Sequence, residues 1–279
     1  MTKVLFLRHA QSEFNKLEID TLKKYNLVKA EKKLISAIKL INEPHLLDAR
    51  ITEYGHLQCN LSRVKHKEIF NKVLDYIFKI NFKIKYVICS PMRRALQTAQ
   101  LCLSTKEMKD NGIKLIVRAE TREILDSQCD FPFDIYNSMK NFEEFDFSNI
   151  KESLEKYKEL FVADVLENEE TADQLKNLAV EIKELDIEER KVKVLEFLKK
   201  KKLKNLAIEK NEHVYQRIQK FKQFLRNFIK ENNVKDNELI VVAHSRLCKA
   251  VQATGVNPET DTFINYRVIQ NCELFDHEI

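Results

Sequence analysis

Arg8, His9, Ser12 and Asn15 follow directly on a short apolar run at residues 4–7. Such a run is typical of a buried strand in a parallel sheet. Open α/β sheets bind their ligands at the carboxyl ends of their strands, which is where these four side chains would lie. A cation, an imidazole and two small polar groups at that position predict a pocket for a small anion, most simply a phosphate, with His9 as the candidate nucleophile.

Four later segments repeat the pattern of polar residues beside apolar runs, at residues 48–58, 90–99, 121–124 and 241–245. Together with residues 8–15, they resemble the motifs of the histidine phosphatase superfamily in both type and order. The segment after Cys89, for example, reads Ser-x-x-x-Arg-Ala-x-Gln-Thr-Ala. The resemblance covers about residues 1–130 and 235–275. It implies the phosphoglycerate-mutase-like fold.

The resemblance also implies a role for each matching side chain. His9 would accept the phosphoryl group, and Glu123 would act as general acid and base. The other residues implied to contact the phosphoryl group are Arg8, Ser12, Asn15, Arg94, His244 and Ser245. Two arginines and two histidines can neutralise phosphoryl charge without a metal ion, so neither a metal nor another cofactor is expected.

Two of these assignments have competitors next to them in the chain. Arg93 competes with Arg94, because adjacent residues on a helix cannot both point into one pocket. The spacing of the resembling motif, four residues after Ser90, selects Arg94. Glu120, three residues before Glu123, is the alternative general acid.

The chain departs from the superfamily pattern at Ala10 and Ser245, which stand where glycine is usual. The loop at residues 125–130 lacks the Tyr-Gly pattern of the glycolytic mutases. We therefore expect a phosphatase acting on a small phosphorylated substrate. A phosphoglycerate-type mutase and a non-catalytic interaction module remain the alternatives. Substrate specificity depends on the residues that surround the phosphate pocket, and their composition does not identify a particular substrate.

Composition limits the other possibilities. The 48 basic and 43 acidic residues give a net charge of +5, which is too even a balance to favour nucleic-acid binding. The chain has no apolar run of about 18–20 residues that would predict a membrane span, and it starts without a leader pattern, so we expect a cytoplasmic protein. The six cysteines are scattered without Cys-x-x-Cys spacing, which favours free thiols over disulfides or a zinc site. Nothing in these features bears on oligomeric state.

The predicted elements form an α/β pattern. Strands are expected at residues 3–8, 85–89, 114–117 and 238–243, and helices at about 16–41, 53–79 and 245–253, with a further helix opened by Ser90 and Pro91. Alternating strands and helices favour a doubly wound, mostly parallel sheet flanked by helices. Thr52 and Gly55 are interpreted as a helix start, and Asn265 and Asn271 as part of a loop near the pocket mouth.

Residues 150–231 are rich in Lys, Glu and Leu and predict two or more long helices. We expect a single domain, 1–279, with a charged helical insertion at about 134–210. Seven lysines between 191 and 204 favour a solvated helix face over a surface for an anionic partner. Phe131, Phe133 and Tyr136 are interpreted as anchors of the insertion, with a cap over the pocket as the alternative.

Overall fold

A five-stranded sheet forms the centre of the protein. The computed structural model describes residues 1–24, 46–70, 73–74, 80–81, 83–133, 135–204 and 208–279. The strand order is β5-β4-β6-β1-β9. The strands are β1 (Lys3–Arg8), β4 (Tyr86–Cys89), β5 (Lys114–Val117), β6 (Leu239–Ala243) and β9 (Leu274–Glu278). The first four run parallel, whereas β9 pairs antiparallel with β1 at one edge.

Two short antiparallel pairs lie outside this sheet. One joins β2 (Val73–Leu74) to β3 (Ile80–Asn81), and the other joins β7 (Gly255–Asn257) to β8 (Thr262–Ile264). The helices are α1 (Glu13–Lys24), α2 (Glu53–Lys65), α3 (Lys67–Phe70), α4 (Arg93–Leu103), α5 (Thr105–Asp110), α6 (Ile135–Asn141), α7 (Ser148–Tyr157), α8 (Glu169–Ile182), α9 (Ile187–Leu203), α10 (Asn211–Glu231) and α11 (Ser245–Gln252). Short 3₁₀ segments occupy Ala119–Thr121, Gln128–Asp130 and Lys158–Val165.

Apolar side chains cover both faces of the sheet, because successive residues of a strand point to opposite sides. All five residues of β6 are buried. Ile240 and Val242 belong to a core that includes residues of α2, α4 and the α6–α9 region, whereas Leu239, Val241 and Ala243 pack with α10 and α11. This two-sided coverage confirms the predicted doubly wound, mostly parallel α/β fold.

The four predicted strands are confirmed to within a residue at their ends. The helix expected at 16–41 begins earlier, at Glu13, and its part beyond Lys24 lies outside the described residues. The helix expected at 53–79 is wrong at Val73–Leu74, which form a strand, and residues 71–72 and 75–79 lie outside the described residues. The chain leaves helical geometry at His66, where α2 ends, and Val73–Leu74 then pairs with Ile80–Asn81. β-Branched valine and isoleucine suit such a pair better than a long helix.

Long helices follow in the Lys- and Glu-rich region, as predicted. Within α9, Val194 and Leu198 are buried while Lys193, Lys199 and Lys200 are exposed, in agreement with a solvated face. Phe131 and Phe133 are buried in the core, as anchors should be, but the prediction is wrong for Tyr136, which is 41% exposed on α6. No helix in the described ranges is both long and apolar enough to cross a membrane.

Candidate active site

His9 and His244 follow directly on two neighbouring parallel strands. Arg8, the last residue of β1, pairs in register with Ala243, the last residue of β6. The backbone N–H of His9 donates to the Ala243 carbonyl at 2.9 Å, and the centroids of the two imidazole rings lie 5.0 Å apart. Both histidines are buried. The sheet register therefore brings together two residues that are far apart in sequence, as the sequence predicted.

The His9 imidazole is held in one tautomer. Its Nδ1 lies 2.6 Å from the Ala10 carbonyl oxygen. A carbonyl can only accept, so Nδ1 carries the hydrogen and Nε2 keeps its lone pair. Burial lowers the pKa of His9 well below its ordinary value, and the nearby charges of Arg94 and Arg8 lower the pKa further. The ring is therefore neutral at physiological pH, which is the form a nucleophile requires.

His244 contacts Ser90, the residue that follows β4. Its Nε2 lies 2.7 Å from the Ser90 hydroxyl, which also accepts the Met92 backbone N–H at 3.3 Å. Burial lowers the pKa of His244 well below its ordinary value, with smaller effects from Arg94 and His9. Among the described residues, nothing hydrogen-bonds its buried Nδ1. If the Ser90 hydroxyl donates to Nε2, Nδ1 carries the hydrogen and can donate to a bound anion.

Arg94, not Arg93, is the buried arginine of α4. Arg94 donates to the Cys129 carbonyl and, through Nη2, to Asp130 Oδ1 at 3.2 Å. Arg93 turns the other way, where its backbone N–H and its Nε donate to Asp48 at 2.9 and 3.1 Å. The structure thus places Arg94 beside the two histidines, on whose pKa values its charge acts.

Arg8 approaches the same space from β1. Its Nη1 donates to the Ile269 carbonyl at 2.6 Å, and its buried Nε has no hydrogen-bond partner in the part of the chain that the structure describes. Burial lowers the pKa of Arg8, while the Glu123 carboxylate acts in the opposite direction. Arg8 and Arg94 therefore both carry positive charge next to His9.

Glu123 lies at the amino end of α11. Its Oε1 accepts the backbone N–H groups of Ile124 at 2.9 Å and Arg246 at 3.2 Å. The amino end of a helix favours a carboxylate there. The alternative general acid, Glu120, is instead paired with the Arg118 guanidinium. The geometry brings Glu123, and not Glu120, to the group of predicted site residues.

A buried ionic network contacts the segment that carries Glu123. Both Glu209 carboxylate oxygens accept from Arg122, at 2.7 and 3.1 Å, and Oε2 also accepts the Leu125 backbone N–H at 2.9 Å. Arg122 Nη1 donates to the Glu123 carbonyl at 2.7 Å, and Arg217 Nη1 donates to the Arg122 carbonyl at 3.1 Å. The spacing of these residues in the sequence carries no recognisable pattern, so this network was not predicted.

Ser12 and Asn15 lie at the start of α1 and contact each other. The Ser12 hydroxyl accepts the Asn15 backbone N–H and the Asn15 side-chain oxygen accepts the Ser12 N–H, both at 3.2 Å. This exchange caps the helix. The oxygen of the Asn15 amide is therefore used locally and its –NH₂ group is the part suited to an anion. Ser245 begins α11, directly after His244, and is partly exposed.

Several motif residues without a predicted role hold the backbone that follows His9. Thr98 Oγ1 accepts the Ala10 N–H at 3.0 Å, and Gln58 Oε1 accepts the Gln11 N–H at 2.8 Å. Thr52 caps α2 by accepting the Gly55 N–H at 3.0 Å, which confirms the predicted helix start. A Cβ at Gly55 would meet the Gln11 carbonyl at 2.5 Å, so only glycine permits this close approach.

Two further residues were not recognised as part of the site. Asn271, assigned to a loop near the pocket mouth, donates through its amide to the His9 carbonyl at 2.9 Å and so positions the histidine directly. Asn265 precedes Asn271 in the chain, and its amide donates to the Thr254 hydroxyl at 3.0 Å. Asp130 forms a buried ion pair with Arg94, one of the predicted site residues. Its only sequence signal was an acid in the loop that departs from the mutase pattern.

No protein-family model matches the chain, and no curated protein matches it. Solved structures do match. Ecdysone phosphate phosphatase from Bombix mori is 15% identical, with 99% of this chain and 88% of that chain covered and a TM-score of 0.49. Phosphoserine phosphatase from Entamoeba histolytica is 13% identical, with coverages of 99% and 90% and a TM-score of 0.41. Phosphoglycerate mutase from Bacillus anthracis is 14% identical, with coverages of 100% and 93% and a TM-score of 0.40.

These matched proteins are phosphatases and a mutase of the superfamily that the sequence motifs resemble.

Proposed function

We propose that this chain is a metal-independent phosphatase of the histidine phosphatase superfamily that hydrolyses small phosphomonoesters through a phosphohistidine on His9. The supporting observation is the state of His9. Its imidazole is buried, fixed through Nδ1 to the Ala10 carbonyl and kept neutral beside two arginines, so that Nε2 is the available nucleophilic atom. A site that only bound phosphate would gain nothing from keeping this ring neutral.

In the first step, His9 Nε2 attacks the phosphorus atom of the substrate and the bond from phosphorus to the ester oxygen breaks. Arg8, Arg94 and the Nδ1–H of His244 bind the transferred phosphoryl oxygens, whose charge they offset. Glu123 gives its proton to the departing oxygen, so that the product leaves as an alcohol. Ser12, Asn15 and Ser245 are also proposed to contact the phosphoryl group.

In the second step, water attacks the phosphorus atom and the bond between phosphorus and His9 Nε2 breaks. Glu123 takes a proton from the attacking water, which restores the acid for the next turnover. Inorganic phosphate leaves and His9 returns to its neutral tautomer, with Nδ1 still bonded to Ala10. The reaction uses only side chains and water.

We further infer that residues 1–279 form one domain into which the helical segment at about 134–210 is inserted. The contact of Glu209 with the Leu125 N–H supports this, because it ties the end of that segment to the loop carrying Glu123. The segment would thereby help to shape the wall of the pocket that distinguishes substrates.

The first experiment measures hydrolysis of an aryl phosphate between pH 4 and 9, with a chelator added shortly before the assay. We expect turnover by the wild type, none above background for His9→Ala, and full turnover for His56→Ala, a matched control on an exposed histidine of α2. Rapid quenching should trap an acid-labile phosphoryl label on the wild type. Full turnover by His9→Ala would overturn the nucleophile assignment.

The two alternatives give different results in the same experiment. A mutase would form the labelled intermediate but return the phosphoryl group to a second hydroxyl of an added phosphorylated sugar acid instead of releasing phosphate. An interaction module that kept the pocket without the activity could bind vanadate but would release no phosphate and form no label.

A further inference from the structure

Three cysteines that are distant in sequence meet in the core. Cys59 lies on α2, Cys102 on α4 and Cys272 just before β9. The Sγ atom of Cys272 lies 3.6 Å from that of Cys102 and 3.9 Å from that of Cys59, and all three sulfur atoms lie within 4.8 Å of one another. The expectation of free thiols is confirmed, but three of these thiols, scattered along the sequence, lie together in the structure. Separations of 43 and 170 residues concealed the cluster from any spacing rule.

The spacing of the sulfur atoms is that of a metal-thiolate site. In a tetrahedral zinc site with Zn–S bonds of about 2.3 Å, neighbouring sulfur atoms are about 3.8 Å apart. A disulfide needs about 2.05 Å, so the three thiols are free. The three cysteines come from three different elements and point their sulfur atoms at one another, although each could pack against apolar neighbours alone.

A fourth polar group lies beside the cluster. Ser62 follows Cys59 by three residues on α2, which places both on one face of the helix. Its hydroxyl is buried, with the residue 6% exposed, and it has no hydrogen-bond partner among the described residues.

We propose that Cys59, Cys102 and Cys272 bind one Zn²⁺ ion, with the Ser62 hydroxyl or a water molecule completing the tetrahedron. Binding releases the three thiol protons to solvent, so the ion is held by thiolates, and thiolate ligands favour zinc over magnesium or calcium. No step of the proposed phosphatase reaction uses this ion.

The zinc would join three elements that surround the catalytic segment. Asn271, next to Cys272, donates to the His9 carbonyl, and the Cys272 backbone N–H donates to the Arg8 carbonyl at 3.0 Å. An ion bound to Cys272 in the core would therefore hold in place the segment that positions His9. Its role is structural, and its loss would lower stability.

Metal content and cobalt spectra test the site. Protein produced with zinc and purified under reductant should hold about one zinc ion per chain after gel filtration. Cobalt exchanged into the wild type should give thiolate-to-metal charge-transfer absorption and the intense visible bands of tetrahedral Co²⁺. The cobalt spectrum needs no variant, so it decides the proposal even if the substituted proteins do not fold.

Cys102→Ser and Cys272→Ser should lose most of the zinc and the charge-transfer band. Cys248→Ser should retain both, because Cys248 is a buried cysteine of the other core cluster. The proposal is wrong if the wild type holds no zinc and gives no cobalt charge transfer, or if Cys102→Ser and Cys272→Ser hold as much zinc as Cys248→Ser. Because activity is not a readout, failure of the phosphatase proposal would leave this result unaffected.

Discussion

Asp130 Oδ1 lies 3.2 Å from Arg94 Nη2, and the two side chains are only 7% and 3% exposed. Oδ2 of the same carboxylate accepts from the hydroxyl of Ser127 at 2.8 Å and from its backbone N–H at 2.9 Å. Burial raises the pKa of Asp130 to about 6, although the charge of Arg94 acts against the rise. The arginine proposed to bind the phosphoryl group thus has a competing internal anion whose charge changes near pH 6.

Asp130→Asn is expected to tighten the binding of inorganic phosphate above pH 6 by about three- to tenfold, since one pKa unit of interaction corresponds to tenfold in affinity. The wild-type carboxylate is charged above its pKa and neutral below it, so it weakens anion binding only on the alkaline side. The other charged or titratable groups facing it are Arg94, Glu123, Asp126 and Cys129. Inhibition constants measured from pH 5 to 8 should converge for wild type and variant at the acid end.

Asp110→Asn provides the control, because Asp110 is an exposed aspartate at the end of α5. It should follow the wild-type profile. Weaker phosphate binding by Asp130→Asn at every pH would show instead that Asp130 serves to orient Arg94 and does not compete with the phosphate.

The two buried histidines should make stability depend on pH. Burial lowers the pKa values of both His9 and His244 below the value of about 6.5 expected in the unfolded chain. The unfolded state therefore binds more protons below pH 6.5, and stability is lost as the pH falls from there, by at most about 1.4 kcal/mol per pH unit for each histidine. Above pH 6.5 their contribution is fully present.

Urea unfolding of wild type and of the double variant His9→Asn/His244→Asn, at pH values from 7.5 to 5, measures this contribution. The difference between their free energies of unfolding should be constant above pH 6.5. Below pH 6.5, the wild type should lose stability relative to the double variant. His56→Asn should leave the wild-type dependence unchanged. A constant difference across the whole range would mean that the histidines are not kept neutral by the fold.

The predictable part of the site is the part that local chemistry specifies. His9 and His244 each follow an apolar run, and a parallel sheet has to bring the ends of such strands to one edge. The choice of Arg94 over Arg93 could also be predicted, because adjacent residues on a helix point in different directions. In both cases the deciding information lies within a few residues of the side chain itself.

The features that could not be predicted depend on contacts between segments that are distant in the sequence. Glu209 reaches Arg122 across 87 residues, and Asn271 reaches His9 across 262. Asp130 lies near Arg94 only because the Gln128–Asp130 turn folds back onto α4. The helix expected at 53–79 failed for a related reason, since the pairing of Val73–Leu74 with another segment outweighed helical spacing.

Glu209→Gln tests how the site is supported. Burial opposes the charge of Glu209, but Arg122 and Arg217 hold the pKa of its carboxylate at about 2. Removing the charge leaves two buried guanidinium groups without their anion, which should cost about 3–5 kcal/mol of the free energy of unfolding. The loss should be full above about pH 4.5, the unfolded value, and should shrink below it as the wild-type carboxylate takes up protons toward pH 2.

The same variant should lower kcat by about ten- to a hundredfold, since a displaced Glu123 no longer meets the leaving oxygen. Because the phosphate-binding residues lie elsewhere, KM should change much less. Urea unfolding and steady-state kinetics check the two effects, with Glu196→Gln on the exposed face of α9 as the control. A stable but equally active Glu209→Gln protein would show that the network does not position Glu123.

Gly55→Ala tests the close approach between α2 and the segment after His9. The added methyl group would lie 2.5 Å from the Gln11 carbonyl and 3.1 Å from the Ile51 Cβ atom, so the backbone has to move. We expect a loss of about 1–3 kcal/mol in the free energy of unfolding, as for other overpacked sites. The movement should also displace Gln11 and Ser12 and lower kcat.

Gly255→Ala is the matched control, because its nearest neighbour, Ile264 Cδ1, would be 3.9 Å from the new methyl group. Equal thermal midpoints and equal turnover for the two alanine variants would show that the contact at Gly55 does not constrain the site.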